Sequence, residues 1–269
     1  MKQHPTSIID PRAEIADDAV IGPYVIIEGP VAIGPGTEIM AHAHICGHTI
    51  IGSNNEIHMG AVIGHAPQHL GYKKEWETLT RIGDRNIFRE YATVHRSWEQ
   101  GGSTEIGNDN FFMGFTHVAH DCRVGNKIVM ANAALVAGHV IIEDNVFISG
   151  AALFHQFVRV GRLAMISGQS LVSKDVPPYC TAAGRATVVG LNSVGLRRAG
   201  LSQETRTRIR HAWKTLYRSG LNTREALDSI ESGPDMCDEV RAFVEFIKGS
   251  KRGICAGRSG ADEEEGGEE

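Results

Sequence analysis

The stretch 8–63 reads IIDPRAEIADDAVIGPYVIIEGPVAIGPGTEIMAHAHICGHTIIGSNNEIHMGAVI. It carries isoleucine at positions 9, 15, 21, 27, 33, 39, 45, 51, 57 and 63, always six residues apart. The rhythm resumes at Ile82, Phe88 and Val94. It then runs from Ile106 through Phe112, Val118, Val124, Met130, Val136, Ile142, Ile148, Phe154, Val160 and Ile166 to Val172. An amphipathic helix would repeat every three to four residues, and a half-buried strand every two. A period of six fits a prism of short strands with one inward aliphatic per face. The predicted fold is an all-β left-handed parallel β-helix built from hexapeptide repeats.

Three faces per coil imply an 18-residue turn, and the glycines after the key aliphatics agree. Gly34 precedes Gly52, and Gly107 precedes Gly125, by 18 residues; Glu143 breaks the second series and Gly161 restores it. Glycine and asparagine are expected to supply the unusual backbone angles of tight corners. Coils should stack about 4.8 Å apart. About eight coils are expected over 5–180, within a domain spanning 1–180. Residues 64–81 and 95–105 break the pattern as polar and aromatic insertions, the kind of solenoid loop that carries function. The prism should end near Asp175-Val176-Pro177-Pro178-Tyr179, where paired prolines cannot continue a strand ladder.

A small α-helical C-terminal domain is expected over 181–255. Ser202 caps a helix carrying Ile209, Ala212, Trp213, Leu216 and Tyr217 and stopped near Gly220. Thr223 caps a second helix, and Pro234 opens a third through Val240, Phe243, Val244 and Ile247. Residues 256–269 are rich in Gly and Glu and read as a disordered acidic tail.

Net charge is −5, which argues against nucleic acid as a partner. No apolar run is long enough for a membrane span, and no signal peptide opens the chain, so no stable membrane insertion is expected. Five cysteines, Cys46, Cys122, Cys180, Cys237 and Cys255, are scattered and odd in number. That usage fits a reducing, cytoplasmic setting and offers neither a disulfide frame nor a zinc site.

With 18 residues as a ruler, His120 stacks under Gly138 and then Gln156, Asp121 under His139, and Ala137 under His155. This is a sensible acyl-transfer site. A sugar hydroxyl needs a base to take its proton, and His titrates nearest neutral pH. An adjacent carboxylate can orient the imidazole. A backbone N–H such as that of Gly138 can hold the oxyanion of an attacked thioester. Three histidines could also bind zinc, as in metal-dependent carbonic anhydrases of β-helix fold. Outward histidines such as His42, His44, His48, His58 and His65 read as surface or packing residues.

The chain resembles the UDP-N-acetylglucosamine acyltransferases from about residue 5 to 254. The resemblance lies in Ile82-Gly-Asp-Arg-Asn86, Arg89-Glu90, Val94-His95-Arg96, His117-x-x-His120-Asp121-Cys122 and Gly125-Asn126. It continues in Ala137-Gly138-His139, His155-Gln156-Phe157, Asp175-Val-Pro-Pro-Tyr179, Gly195-Leu196-Arg197-Arg198 and Tyr217-Arg218-Ser219-Gly220. It implies transfer of a 3-hydroxyacyl group from acyl carrier protein to the 3-hydroxyl of UDP-N-acetylglucosamine, the first step of lipid A synthesis. No cofactor or metal is implied; the carrier thioester is a co-substrate. His120 would be the general base, Asp121 its orienting group and Gly138 the oxyanion donor. His117, His139, His155 and Gln156 would line the sugar and pantetheine groove, and Asn192 and Arg198 would touch the uridine diphosphate. Gly168 would set acyl length. A homotrimer with active sites between subunits is implied. A same-fold enzyme N-acylating another nucleotide amino sugar is the alternative.

Three departures stand out. The family's Asp-Leu-Lys-Tyr loop is here His69-Leu70-Gly71-Tyr72, so an acid and a base that contact substrate are replaced. Its Asn-x-Glu is here Asn192-Ser193-Val194. Ala199 stands where a second Arg is usual.

Overall fold

The computed structural model describes residues 1–258. Short strands, most of two residues, stack in parallel to form three faces. Face I starts at Lys2–Gln3, face II at Ile8–Ile9 and face III at Glu14–Ile15; among the described residues they hold 12, 9 and 8 strands. Coils therefore begin at residue 2 and number nine on face II, one more than the repeat suggested. Uninterrupted coils pair at a register of 18, as in Val136 with Phe154 on face II. In the two-residue strands from Val20–Ile21 to Leu171–Val172 the second side chain is buried, which is why one apolar residue in six suffices. Ile39, Ile45, Ile57 and Ile63 have no exposed surface. Phe88 and Phe112 stack at 4.7 Å where coils of larger side chains meet.

The corners overturn one expectation. From Asp109 to Gln169 every sixth residue has a positive φ, between 55° and 66°, and none of them is glycine. The set includes Phe115, Ala133 and Leu163, residues for which this region costs about 1–2 kcal/mol each. Gly34, Gly107 and Gly125 lie elsewhere in the corner and serve close approach. A Cβ on Gly107 would sit 2.6 Å from Asn126 Oδ1, and one on Gly125 2.4 Å from Asp144 Oδ1. The next coil's Asn or Asp reaches across that gap to accept the corner N–H, as Asn126 Oδ1 does from Asn108 N at 2.8 Å. Glu143 escapes the rule because Arg162 follows one coil later. There the contact reverses, and Arg162 N donates to Glu143 Oε2 at 3.0 Å.

Inside the prism runs an asparagine ladder that the repeat did not reveal. Asn86 Nδ2 donates to Asn55 Oδ1 at 3.0 Å, and Asn110 Nδ2 donates to Asn86 Oδ1 at 2.9 Å. All three are buried.

The insertions are shorter than expected. His65 still pairs with His95, and Leu79–Ile82 pairs with both His48–Ile51 and Ser103–Ile106. The excursions therefore span 66–78 and 96–102.

The paired prolines do not end the ladder. They fall at a corner, and Cys180–Ala183 resumes parallel pairing with Met165–Ile166 on face I. Thr187–Leu191 then folds back antiparallel.

Helix α1, Ser193–Arg198, was not foreseen; α2, Gln203–Arg218, starts at the expected cap, with Ser202 Oγ accepting from Thr205 N. Helix α3, Thr223–Ser232, is capped by Asn222 rather than Thr223, through a reciprocal box with Glu225. Helix α4, Asp238–Lys248, begins four residues after Pro234, with Cys237 at its N-cap. The apolar stripes of α2, α3 and α4 pack together. The bundle is tied to the prism by Arg159 over the Phe246 ring and by Ser250 Oγ donating to Asp175. Ala256–Gly257 pairs with Thr187–Leu191, so the tail does not begin at 256. The remainder of the tail, 259–269, lies outside the described residues.

Candidate active site

His120 follows the face II strand His117–Val118, at the corner leading to Arg123–Val124 on face III. Its Nδ1 is 2.8 Å from Asp121 Oδ2, and both side chains are largely buried. An ionised carboxylate only accepts, so Nδ1 carries the proton and Nε2 keeps its lone pair. Asp121 is held from three further sides. Ser97 Oγ donates to Oδ1, Trp98 N donates to Oδ2, and Asp121 N donates to Thr104 Oγ1. Burial opposes its charge, but the hydrogen bonds from His120, Ser97 and Trp98 N outweigh it and keep the carboxyl below its usual range.

Gly138 lies one coil further on, and a Cβ there would come within 2.5 Å of His120 Cε1 and 2.7 Å of Nε2. The imidazole occupies the space a side chain would need. The Gly138 N–H has no acceptor among the described residues. His139 stacks on Phe157 at 4.6 Å and meets His120 edge to face at 5.3 Å.

His117 is bonded through Nδ1 to Thr93 Oγ1 at 2.7 Å. Burial lowers its pKa, and that of His139, below the ordinary histidine value. His95 packs against His117 at 5.0 Å, and burial pushes it down to about 4. These rings are neutral at neutral pH, so they present hydrogen-bonding groups without flooding the site with positive charge.

The 66–78 loop closes onto this corner. His69 stacks on Trp98 at 3.8 Å and meets His120 edge to face at 5.4 Å, while Leu70 is fully exposed. Ligand atoms of His120, Asp121 and His139 lie within 4.8 Å of one another, close enough for a metal. The donor chemistry fits poorly. His120 Nδ1 bears a proton toward Asp121, and the His139 Nε2 lone pair accepts from Trp98 Nε1 at 3.1 Å. The arrangement is an imidazole oriented by a carboxylate and packed on a glycine.

Comparison with known proteins follows the same line. A profile described as Udp N-acetylglucosamine O-acyltransferase, domain 2, matches residues 175–255, and one described as bacterial transferase hexapeptide (six repeats) matches 30–65. A protein of Syntrophobacter fumaroxidans named acyl-(acyl-carrier-protein)–UDP-N-acetylglucosamine O-acyltransferase is 45% identical over 257 residues, covering 94% of this chain and 99% of its own length. The chain belongs to this O-acyltransferase family. A Thermodesulfovibrio yellowstonii protein of the same name is 48% identical over 254 residues, at 94% and 98% coverage. The crystal structure of Francisella novicida UDP-N-acetylglucosamine acyltransferase superposes with a TM-score of 0.91 at 38% identity, covering 96% of this chain and 95% of that one. The Bacteroides fragilis enzyme gives 0.90 at 43% identity, with 93% and 98% covered.

The left-handed β-helix of this O-acyltransferase family distributes the remaining candidate residues over different corners. His155 and Gln156 are exposed and continue the column above Gly138. Gly168 is at the corner between faces I and II, and a Cβ there meets only Gly150 O at 3.4 Å and Ser149 Cβ at 3.9 Å. Asn192 is buried, with Nδ2 donating to Leu163 O at 2.9 Å and Oδ1 capping α1 at Gly195 N. Arg198 is exposed on α1. Leu163 belongs to the corner between faces III and I, so Asn192 and Arg198 do not join His120 within one chain.

Four residues at the centre escaped the sequence reading as site residues: Thr93, His95, Ser97 and Trp98. A signal existed for two of them. His95 lies in a quoted motif, and Trp98 is a large aromatic inside a polar insertion.

Proposed function

We propose that this protein transfers a 3-hydroxyacyl group from acyl carrier protein to the 3-hydroxyl of UDP-N-acetylglucosamine, the entry reaction of lipid A synthesis. The observation that carries the mechanism is His120, with Nδ1 tied to Asp121, Nε2 free, and its ring lying on Gly138. Nε2 takes the proton of the sugar 3-hydroxyl as its oxygen attacks the thioester carbonyl. The Gly138 N–H stabilises the tetrahedral oxyanion. Collapse expels the pantetheine thiolate, which recovers the proton from Nε2. Asp121 keeps the ring in the required tautomer and stabilises the imidazolium between the two steps. The steps proposed use these groups and no cofactor.

The reading includes a homotrimer with sites between subunits. It is supported by the separation of His120 from Asn192, Arg198 and Gly168 onto different corners, which a neighbouring copy would reunite. It also includes a cytoplasmic location. Five free cysteines, four of them buried, suit a reducing compartment, and no helix among the described residues is long and apolar enough to cross a membrane.

The test is purified protein with UDP-N-acetylglucosamine and a panel of acyl carrier thioesters, with products read by mass. His120→Ala should lower turnover about a hundredfold or more while the chain stays folded. Near-normal turnover in the folded variant would overturn the base assignment. No acyl-sugar product from the unaltered protein would overturn the reaction.

A further inference from the structure

We propose that Trp98 is a positioning residue of this transfer: its indole N–H fixes His139 in the tautomer that offers Nδ1–H to the substrate. The inference rests on the O-acyltransferase reading above. An indole N–H can only donate, so the 3.1 Å contact from Trp98 Nε1 requires a lone pair on His139 Nε2. Neutral His139 then carries its proton on Nδ1. That nitrogen has no hydrogen-bond partner among the described residues. The ring lines a cleft of about 430 Å³ shared with Glu99, Asp121 and Arg123. Stacking on Phe157, 11° from parallel, fixes the plane in which Nδ1–H points.

The same contact protects the base. His139 Nε2 lies 3.9 Å from Asp121 Oδ2, the oxygen that receives His120 Nδ1–H. In the other tautomer His139 would set an Nε2–H against the indole N–H, and turning the ring toward that carboxylate to relieve the conflict would put it in competition with His120. Trp98 occupies that lone pair and removes the competitor. Its own position is set twice, by its backbone N–H on Asp121 Oδ2 at 3.3 Å and by its stack with His69. One residue of the 96–102 loop thus links the loop at His69 to both neighbours of the base, His139 through its indole and Asp121 through its backbone.

Trp98→Phe keeps an aromatic ring and deletes the N–H. Where phenylalanine leaves the loop unfolded, benzothienylalanine at 98 keeps the indole shape without the donor. With ¹⁵N-labelled imidazoles, the unaltered enzyme should show His139 with a pyridine-like Nε2 and a pyrrole-like Nδ1, and the variant should shift toward the Nε2–H form. In the wild-type background the variant should lose about tenfold in kcat/KM, and in a His139→Ala background less than about twofold. Equal losses in both backgrounds, no loss in either, or an unchanged tautomer would each overturn the proposal. A wild-type enzyme that makes no acyl-sugar would instead sink the reaction assigned above, and the tautomer measurement would still decide the role of Trp98.

Discussion

Gly138 is a glycine because His120 lies where its side chain would be. A methyl there meets Cε1 at 2.5 Å and Nε2 at 2.7 Å, so Gly138→Ala must push the imidazole away from Asp121 or bend the coil. Turnover should fall about a hundredfold, as expected of His120→Ala, with only a small drop in Tm. Activity assays beside thermal melts check this; an alanine variant with normal kcat would mean the ring is not held there in the working enzyme. At this scale much was legible. His120, Asp121, Gly138 and His139 follow from an 18-residue ruler because a solenoid turns sequence separation into height. Trp98 and Ser97 were not legible, because they come from an insertion that the ruler does not measure.

Between elements, the two loops act as one unit. A Cβ on Gly71 would stand 3.3 Å from both the His69 ring and Trp98 Cζ3. A side chain there needs the His69 ring and the indole to give by a few tenths of an ångström. Restoring the family residues by His69→Asp with Gly71→Lys deletes the His69–Trp98 stack and sets a lysine against the indole. The double variant should lose activity, and adding Trp98→Ala should recover part of it by reopening the space. Measuring kcat/KM for both variants decides the point; a double variant more active than wild type would show that the loops are uncoupled. The corners teach a related lesson. The glycine series was visible in the sequence, but its cause is close approach by the neighbouring coil, an Asn or Asp side chain at Gly107 and Gly125, backbone at Gly34 and Pro178 at Gly161, a contact between elements. The left-handed backbone falls instead on residues as unsuited to it as Phe115 and Leu163, carried by the ladders on either side.

For the whole molecule, two outcomes are expected. If sites form between copies, His120→Ala and Arg198→Ala chains, each inactive alone, should complement when refolded together. About a quarter of the sites in a random mixture then carry both native residues. Assay of the mixture against each parent checks this, and no recovery would place Arg198 outside the site. The second concerns acid. His95 has a folded pKa of about 4 against 6.5 for an ordinary histidine, so the unfolded chain takes up its proton first as pH falls. The stability at issue is intact above the unfolded value and is lost progressively down to the folded one. The loss is about 3 kcal/mol from His95, and His117 and His139 shift in the same direction. Urea midpoints between about pH 7 and pH 4 should fall, and more gently for His95→Gln. Parallel slopes would locate the acid sensitivity elsewhere.

The sequence by itself determined the coil. One inward aliphatic in six leaves no other way to bury Ile9 to Val172 in a continuous core, and the chemistry at His120 follows from which residues that coil stacks. It also placed α2, through Ser202 and an apolar stripe at helical spacing. Tertiary structure decided what the period cannot encode. Pro177 and Pro178 look like a stop, yet they fall at a corner, and parallel pairing resumes at Cys180 because a corner proline gives up no ladder hydrogen bond. Asn55, Asn86 and Asn110 look like surface residues, yet each finds its partner one coil away. Trp98 and His69 are far apart in sequence, and only the folding of two loops over one corner makes them neighbours of His120.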